Sequence, residues 1–126
     1  MAEKQIKNIE RETVLKLAEQ VKVLPGQVVS KTLAQNRAVS ITLFAFDKGE
    51  EIGTHDSDGD ALATVLEGTG RFTIGGREHW TGAGESVLMS SKKQHAVFAP
   101  EAFKMLLVVV FPVRDSREET GKEGRK

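Results

Sequence analysis

From Pro25 to Pro112 the chain alternates short segments rich in Val, Ile, Thr and Phe with turn-forming clusters, and this alternation is what most limits how it can fold. Strands are expected near Val28 to Leu33, Ala38 to Phe46, Ile52 to His55, Ala61 to Glu67, Arg71 to Ile74, Arg77 to Trp80, Ser86 to Met89, His95 to Phe98 and Phe103 to Phe111. The links between them are too short to hold helical crossovers, so a parallel sheet is excluded and neighbouring strands must pair antiparallel. Gly75-Gly76 is the firmest of the turns, because both residues of a two-residue hairpin loop take positive φ, which glycine does without steric cost. It sets Phe72 opposite His79. Strands this short and this numerous suit a jelly roll or small barrel better than an open sheet.

One helical signal lies outside this region. Val14, Leu17, Ala18 and Val21 recur at i, i+3, i+4 and i+7, which predicts a short amphipathic helix across Thr13 to Val21, ending before Pro25-Gly26. The expected organisation is therefore an N-terminal segment with a short helix (1–24), a β-barrel (25–113) and a charged tail (114–126). The tail carries no apolar side chain to bury and is expected to be disordered. A chain of 126 residues has room for one core.

Composition then removes whole classes of function. Lys plus Arg and Asp plus Glu balance at 18 each, which leaves no broad attraction to a phosphate backbone or an anionic lipid surface; no nucleic-acid or membrane partner is expected. The longest apolar run, Met105 to Phe111, is far too short to span a bilayer. Met1-Ala2-Glu3-Lys4-Gln5 is too polar for the apolar stretch of a secretory signal, so a cytoplasmic location is expected. With no cysteine there are no disulfides, thiolate ligands or thiol nucleophiles, and with no tyrosine there is no phenol acid. His55, His79 and His95, the carboxylates and the lysines are what remain for proton transfer near neutral pH.

Two of those histidines sit in glycine-framed patterns. The first runs Gly49, five residues, His55, one residue, Ser57, three residues, Ala61, six residues, Gly68. The second runs Gly84, five residues, Ser90, one residue, Lys92, two residues, His95, three residues, Ala99. In these spacings the chain resembles a small single-domain cupin of bacterial type. The resemblance implies an all-β double-stranded β-helix, the jelly-roll barrel, with the short N-terminal helix outside it. It also implies a metal centre near one end of the barrel, where the first motif presents His, His and Glu and the second one more His. His55 and His95 keep their places, whereas Ser57 stands at the second imidazole and Ala61 at the carboxylate. Ser90 and Lys92 replace a Pro and a Gly, which is expected to loosen that turn without removing it.

The expected metal ligands are thus His55 and His95 alone, a pair that would hold Zn, Fe, Mn or Ni only loosely, since strong sites carry at least three protein ligands. Asp58 or Asp60 swinging inward, or His79 joining from its hairpin, would add a donor. By alternation Ala61 points inward and Asp60 outward, so Asp60 serves more readily as a turn-tightening group. Each histidine taken singly at a strand end is more often a hydrogen-bonded structural group than a ligand; it is the pair that points to a site. Ser57, Ala61, Phe72, His79, Met89 and Met105 are the expected pocket residues, lining a cavity for a small organic ligand with an anionic or carbonyl end; the competing reading is that side chains simply fill so small a barrel. Trp80 reads as an aromatic packed on the outer sheet surface.

Two strands are apolar on both faces: Val39, Ile41, Leu43 and Ala45 oppose Phe44 and Phe46, and Met105 to Val110 is apolar throughout. Such strands are covered twice, by another layer of the chain or by a partner, and a homodimer is expected. Three functions compete. The favoured one is a small-molecule-binding cupin, with or without a loosely held divalent metal. The others are a metal-dependent cupin enzyme of dioxygenase, decarboxylase or isomerase type, and a metal-free acid–base catalyst resembling the sugar epimerase cupins.

Overall fold

A computed structural model describes residues 5–113, and the expected charged tail lies outside the described residues. Nine strands follow in order: β1 (Val28–Gln35), β2 (Val39–Phe46), β3 (Glu51–His55), β4 (Asp60–Glu67), β5 (Thr69–Ile74), β6 (Arg77–Gly82), β7 (Ser86–Met89), β8 (His95–Phe98) and β9 (Phe103–Val110). They form a five-stranded sheet, β1-β2-β9-β4-β7, facing a four-stranded sheet, β3-β8-β5-β6, with every pair antiparallel. The chain changes sheet after β2, β3, β4, β6, β7 and β8, which is the jelly-roll pattern expected from the sequence. Gly75 and Gly76 take φ of 55° and 84°, and their hairpin places Phe72 opposite His79.

Alternation along the strands decides what the sheets enclose. Ala61, Ala63 and Val65 of β4, Phe72 of β5, Met89 of β7, Val97 of β8 and Phe103 and Met105 of β9 all point between the sheets and are fully or almost fully buried. Phe103 joins the two layers: its ring stacks on Phe46 with centroids 4.7 Å apart and meets Phe72 of the opposite sheet edge-on at 6.3 Å.

The outer face of the five-stranded sheet has a second, smaller core. Leu33, Leu43 and Ala45 are covered by Val21, with Ile9, Leu17 and Val23 of the N-terminal segment and Ile41, Leu66 and Leu106 of the sheet packed around them. The chain itself thus covers the second apolar face of β2. The expected helix is present only as a single 3₁₀ turn, Leu17–Gln20. It lacks a side-chain cap, and Val14, the first residue of the periodic pattern, is fully exposed and adds nothing to an apolar face. Instead, Lys104 Nζ donates to the Ala18 carbonyl at 2.6 Å and Lys31 Nζ to the Gln20 carbonyl at 3.2 Å, fastening the turn to the sheet. Upstream, the Lys7 amide donates to the carbonyl of Leu33, the residue skipped by the bulge in β1.

Because Phe103 bridges both sheets, Phe103→Ala is expected to lower unfolding free energy by about 3–5 kcal/mol, read from urea denaturation; a loss below about 1 kcal/mol, within the range of a surface substitution, would contradict the packing described.

Candidate functional site

His55 closes β3, His95 opens β8, and the two residues face each other directly across the antiparallel pair. Directly opposed residues share a sheet face, so both imidazoles project from the concave side. Their ring centroids are 4.3 Å apart with planes at 70°. Each ring is fixed from below in the same way: Nδ1 of His55 meets the Gly53 carbonyl at 2.8 Å, and Nδ1 of His95 meets the Lys93 carbonyl at 3.1 Å. A carbonyl only accepts, so the hydrogen belongs on Nδ1, and in the neutral ring the lone pair belongs to Nε2.

The environments of the two rings differ. His55 is exposed, whereas His95 is only 5% exposed. Desolvation pulls the His95 pKa below its ordinary value of 6.5, and the neighbouring His55 acts in the same direction; the backbone hydrogen bond to Lys93 and the charge of Asp56 oppose the shift.

The loops on either side of the pair are clasped. The Ser91 amide donates to Asp60 Oδ1 at 2.8 Å, the Ser91 hydroxyl to the Asp58 carbonyl at 2.8 Å, and the Lys92 amide to the Ser57 carbonyl at 2.7 Å. Lys92 adopts a left-handed φ of 65° and Lys93 N donates to the Ser90 carbonyl, so the turn survives without glycine.

Several expected site residues lie elsewhere than the pocket assigned to them. Ser57 donates its hydroxyl to the Gly59 carbonyl at 2.9 Å and accepts from the Gly59 amide at 3.2 Å, closing its own turn instead of lining a cavity. Ala61, Phe72, Met89 and Met105 are at most 2% exposed and pack together in the main core. They pack against one another inside the barrel and present no surface to an open pocket. His79 does share the concave face through Phe72, but it lies on the edge strand β6 and is exposed, away from the imidazole pair. Asp60 is turned to the Ser91 amide and Asp58 to Lys92, with Asp58 Oδ1 at 3.6 Å from the ammonium, so neither joins the histidines. Trp80 is exposed on the outer surface, opposite Arg71.

The donor set does not fit the four-ligand metal centre that the resemblance implied. Among the described residues no three His, Cys, Asp or Glu side chains come together as a metal-holding group. Ala61, at the carboxylate position, faces Met89 inside the apolar core, and Ser57 has spent its hydroxyl locally.

Two features were missed by sequence reasoning. Strand register extends the imidazole row across the sheet, His55–His95–Ile74–Arg77, each residue directly opposite the next. The signal was available: Arg77 follows Gly75-Gly76 and must face Ile74 in a two-residue hairpin. A cleft of about 520 Å³ also opens where the β1–β2 turn meets the end of β9, lined by Gln35, Asn36, Asp58 and Phe111 among others. Nothing in the sequence pattern pointed to it, because it is assembled from turns remote in the chain.

Comparison with known proteins follows the same lines. A family model described as a cupin domain matches residues 42–111. A conserved protein of unknown function from Streptococcus pyogenes is 42% identical, over 90% of this chain and 100% of its own, with a TM-score of 0.88. A cupin superfamily protein from Desulfitobacterium hafniense is 29% identical, over 86% of this chain and 100% of its own, with a TM-score of 0.83. A cupin conserved-barrel protein from Leptotrichia buccalis is 39% identical over 76% of this chain, which matches 47% of that longer one, with a TM-score of 0.75. A search of curated proteins returned no significant match.

The depressed His95 pKa carries a stability consequence of definite sign. Between the folded value and the unfolded value of 6.5 the unfolded chain binds more protons, so stability rises with pH across that window. The contribution is complete above 6.5 and is lost as pH falls through the depressed value. Urea midpoints of the wild type are expected to fall on acidification more steeply than those of His95→Gln, and the His95 Cε1 proton to titrate below 6.5 by NMR; a titration midpoint at or above 6.5 would refute the desolvation account.

Proposed function

This chain belongs to the cupin family, and from that premise we propose that it is a small-molecule-binding cupin whose recognition element is the His55–His95 pair at the rim of the barrel, acting without a resident metal. The observation that supports this reading most is the shared pose of the two rings. Both Nδ1 atoms are occupied by backbone carbonyls, at 2.8 and 3.1 Å, which leaves both Nε2 atoms as the acceptors for an incoming ligand. A packed interior beneath them favours a ligand at the mouth over one deep in the barrel. Sites of this kind gain affinity from being held rigid before binding, and the imidazoles rest on a core with little room to move.

The alternative, a metal-dependent enzyme of dioxygenase, decarboxylase or isomerase type, requires a third protein donor beside the pair, and the described residues supply none. Zn, Fe, Mn or Ni on two imidazoles alone would be bound loosely and exchange readily. An acid–base epimerase would require a second proton-transfer group facing His95; Asp56 acts on that ring only through its charge, with no hydrogen bond to it among the described contacts.

We also propose that the protein assembles as a homodimer through the outer face of the five-stranded sheet. A row of apolar residues, Ile41–Val108–Leu62–Leu88, crosses four of its strands in register. The N-terminal segment packs at the Ile41 end and leaves Leu62 and Leu88 uncovered, at 42% and 57% exposure. Light scattering is expected to give twice the chain mass for the wild type and the single chain mass for Leu88→Lys; a wild-type monomer at high concentration would remove this part of the proposal.

The metal-free reading is checked on protein purified without a metal-affinity tag. Elemental analysis is expected to find transition metal well below one ion per chain, and EDTA to leave the thermal midpoint unchanged. Stoichiometric Zn, Fe, Mn or Ni that disappears in His55→Ala would overturn it in favour of the enzyme reading.

A further inference from the structure

Resting on that small-molecule reading, we infer that the ligand is an organic anion, and that Arg77, with Lys93 beside it, is the residue that selects for its carboxylate. The inference comes from register. Ile74 packs against the main core, and Arg77 stands directly opposite it, so Arg77 shares the concave face with Ile74, His95 and His55. Neighbouring strands lie about 4.8 Å apart, which puts the Arg77 backbone about two strand spacings from that of His95. A small ligand resting over Ile74 spans that interval, with one end at the imidazoles and the other at the guanidinium.

Lys93 brings a second cation to the hairpin tip. Its side chain lies across the hairpin tip, where a Cβ on Gly75 would meet Lys93 Cε at 2.8 Å. Among the described residues neither Arg77 nor Lys93 has a side-chain hydrogen bond or ion pair, unlike the cations around them. Arg71 is turned to Glu78, Lys92 to Asp58, and Lys104 to Glu67. Of the carboxylates nearest the rim, Asp58 faces Lys92 and Asp60 the Ser91 amide, while Asp56 adds a negative charge at the His95 end. At the Arg77 end of the row the unmatched charge is positive, and a guanidinium fork matches the two oxygens of a carboxylate.

The test uses matched acid and amide probes of equal shape: acetate and acetamide, lactate and lactamide, benzoate and benzamide. Each is titrated to tens of millimolar while the Cε1 protons of His55 and His95 are followed by NMR at pH 7.5. At least one acid is expected to move both resonances saturably while its amide does not, and Arg77→Gln is expected to weaken that acid about tenfold, the usual loss for a charge-assisted hydrogen bond. Arg77 is exposed at a hairpin tip, so the Gln variant should fold normally, which an unchanged thermal midpoint would establish. If acid and amide bind alike, or the Gln variant binds the acid as well as the wild type, the anion inference fails while the small-molecule reading stands. If no probe moves either resonance, both fail.

Discussion

The site depends on the clasp between two of the loops that cross from one sheet to the other. The 56–59 loop carries the chain from β3 to β4, and the 90–94 loop carries it from β7 to β8, at the same end of the molecule. Three hydrogen bonds tie them together, through Asp60, Ser91, Asp58, Lys92 and Ser57. Each such bond contributes about 1 kcal/mol net, enough together to hold the start of β8 against the end of β3. Gly59 lies buried beneath, where a Cβ would sit 2.5 Å from the Val110 carbonyl and 2.9 Å from Val109 Cγ1, so the loop can approach β9 only without a side chain there. Without the clasp, β3 and β8 would still pair through Ile52 and Val97, but nothing would fix the irregular stretch between Ile52 and His55.

The same loops explain how a cupin scaffold persists with half the usual donors. At position 61 a carboxylate would have to be buried among Met89, Ala63 and Val65, and an ionised group in such surroundings is costly unless a metal or another charge pairs with it. Alanine removes both the ligand and the cost. Met89 and Met105 then occupy the interior, as flexible thioether side chains readily do. An alanine at position 61 and an apolar, filled interior are therefore mutually consistent, and the histidine pair stands above them at the rim.

Most of the fold was legible in the sequence because strand patterning is local. The β-branched and aromatic runs, cut by turn residues, located all nine strands, and Gly75-Gly76 set one register to the residue. The glycine-framed spacings brought His55 and His95 together, since they mark where strands end and not merely which residues are polar. Less legible was whatever depended on burial at a distance. His79 has the right face but lies on an edge strand, and alternation cannot tell a covered concave position from an open one. Phe72, Met89 and Met105 point inward as expected, yet whether inward residues line a cavity or fill it depends on the summed volume of side chains from both sheets. The helical period at 13–21 is realised as a short 3₁₀ turn, Leu17–Gln20, because Val14 never meets the sheet, while Lys31 and Lys104, remote in sequence, take the carbonyls of the turn. At Lys92 a non-glycine residue holds a left-handed conformation that costs about 1 kcal/mol, tolerated because its amide completes the clasp.

The asymmetry of the histidine pair gives the rim a direction. Desolvation favours the neutral form of His95, so at pH 7 that ring is an acceptor at Nε2 and not a source of charge. The fixed positive charge stands at the opposite end of the row, on Arg77 and Lys93. A ligand that satisfies both ends must carry a hydrogen-bond donor and an anionic group on one short skeleton, as a hydroxy acid does. A simple carboxylate fills one end only, and a neutral polyol leaves the guanidinium without a partner. The two mismatches differ in cost, because His95 is desolvated and an unpaired Nε2 there is penalised, whereas the exposed guanidinium of Arg77 keeps its water.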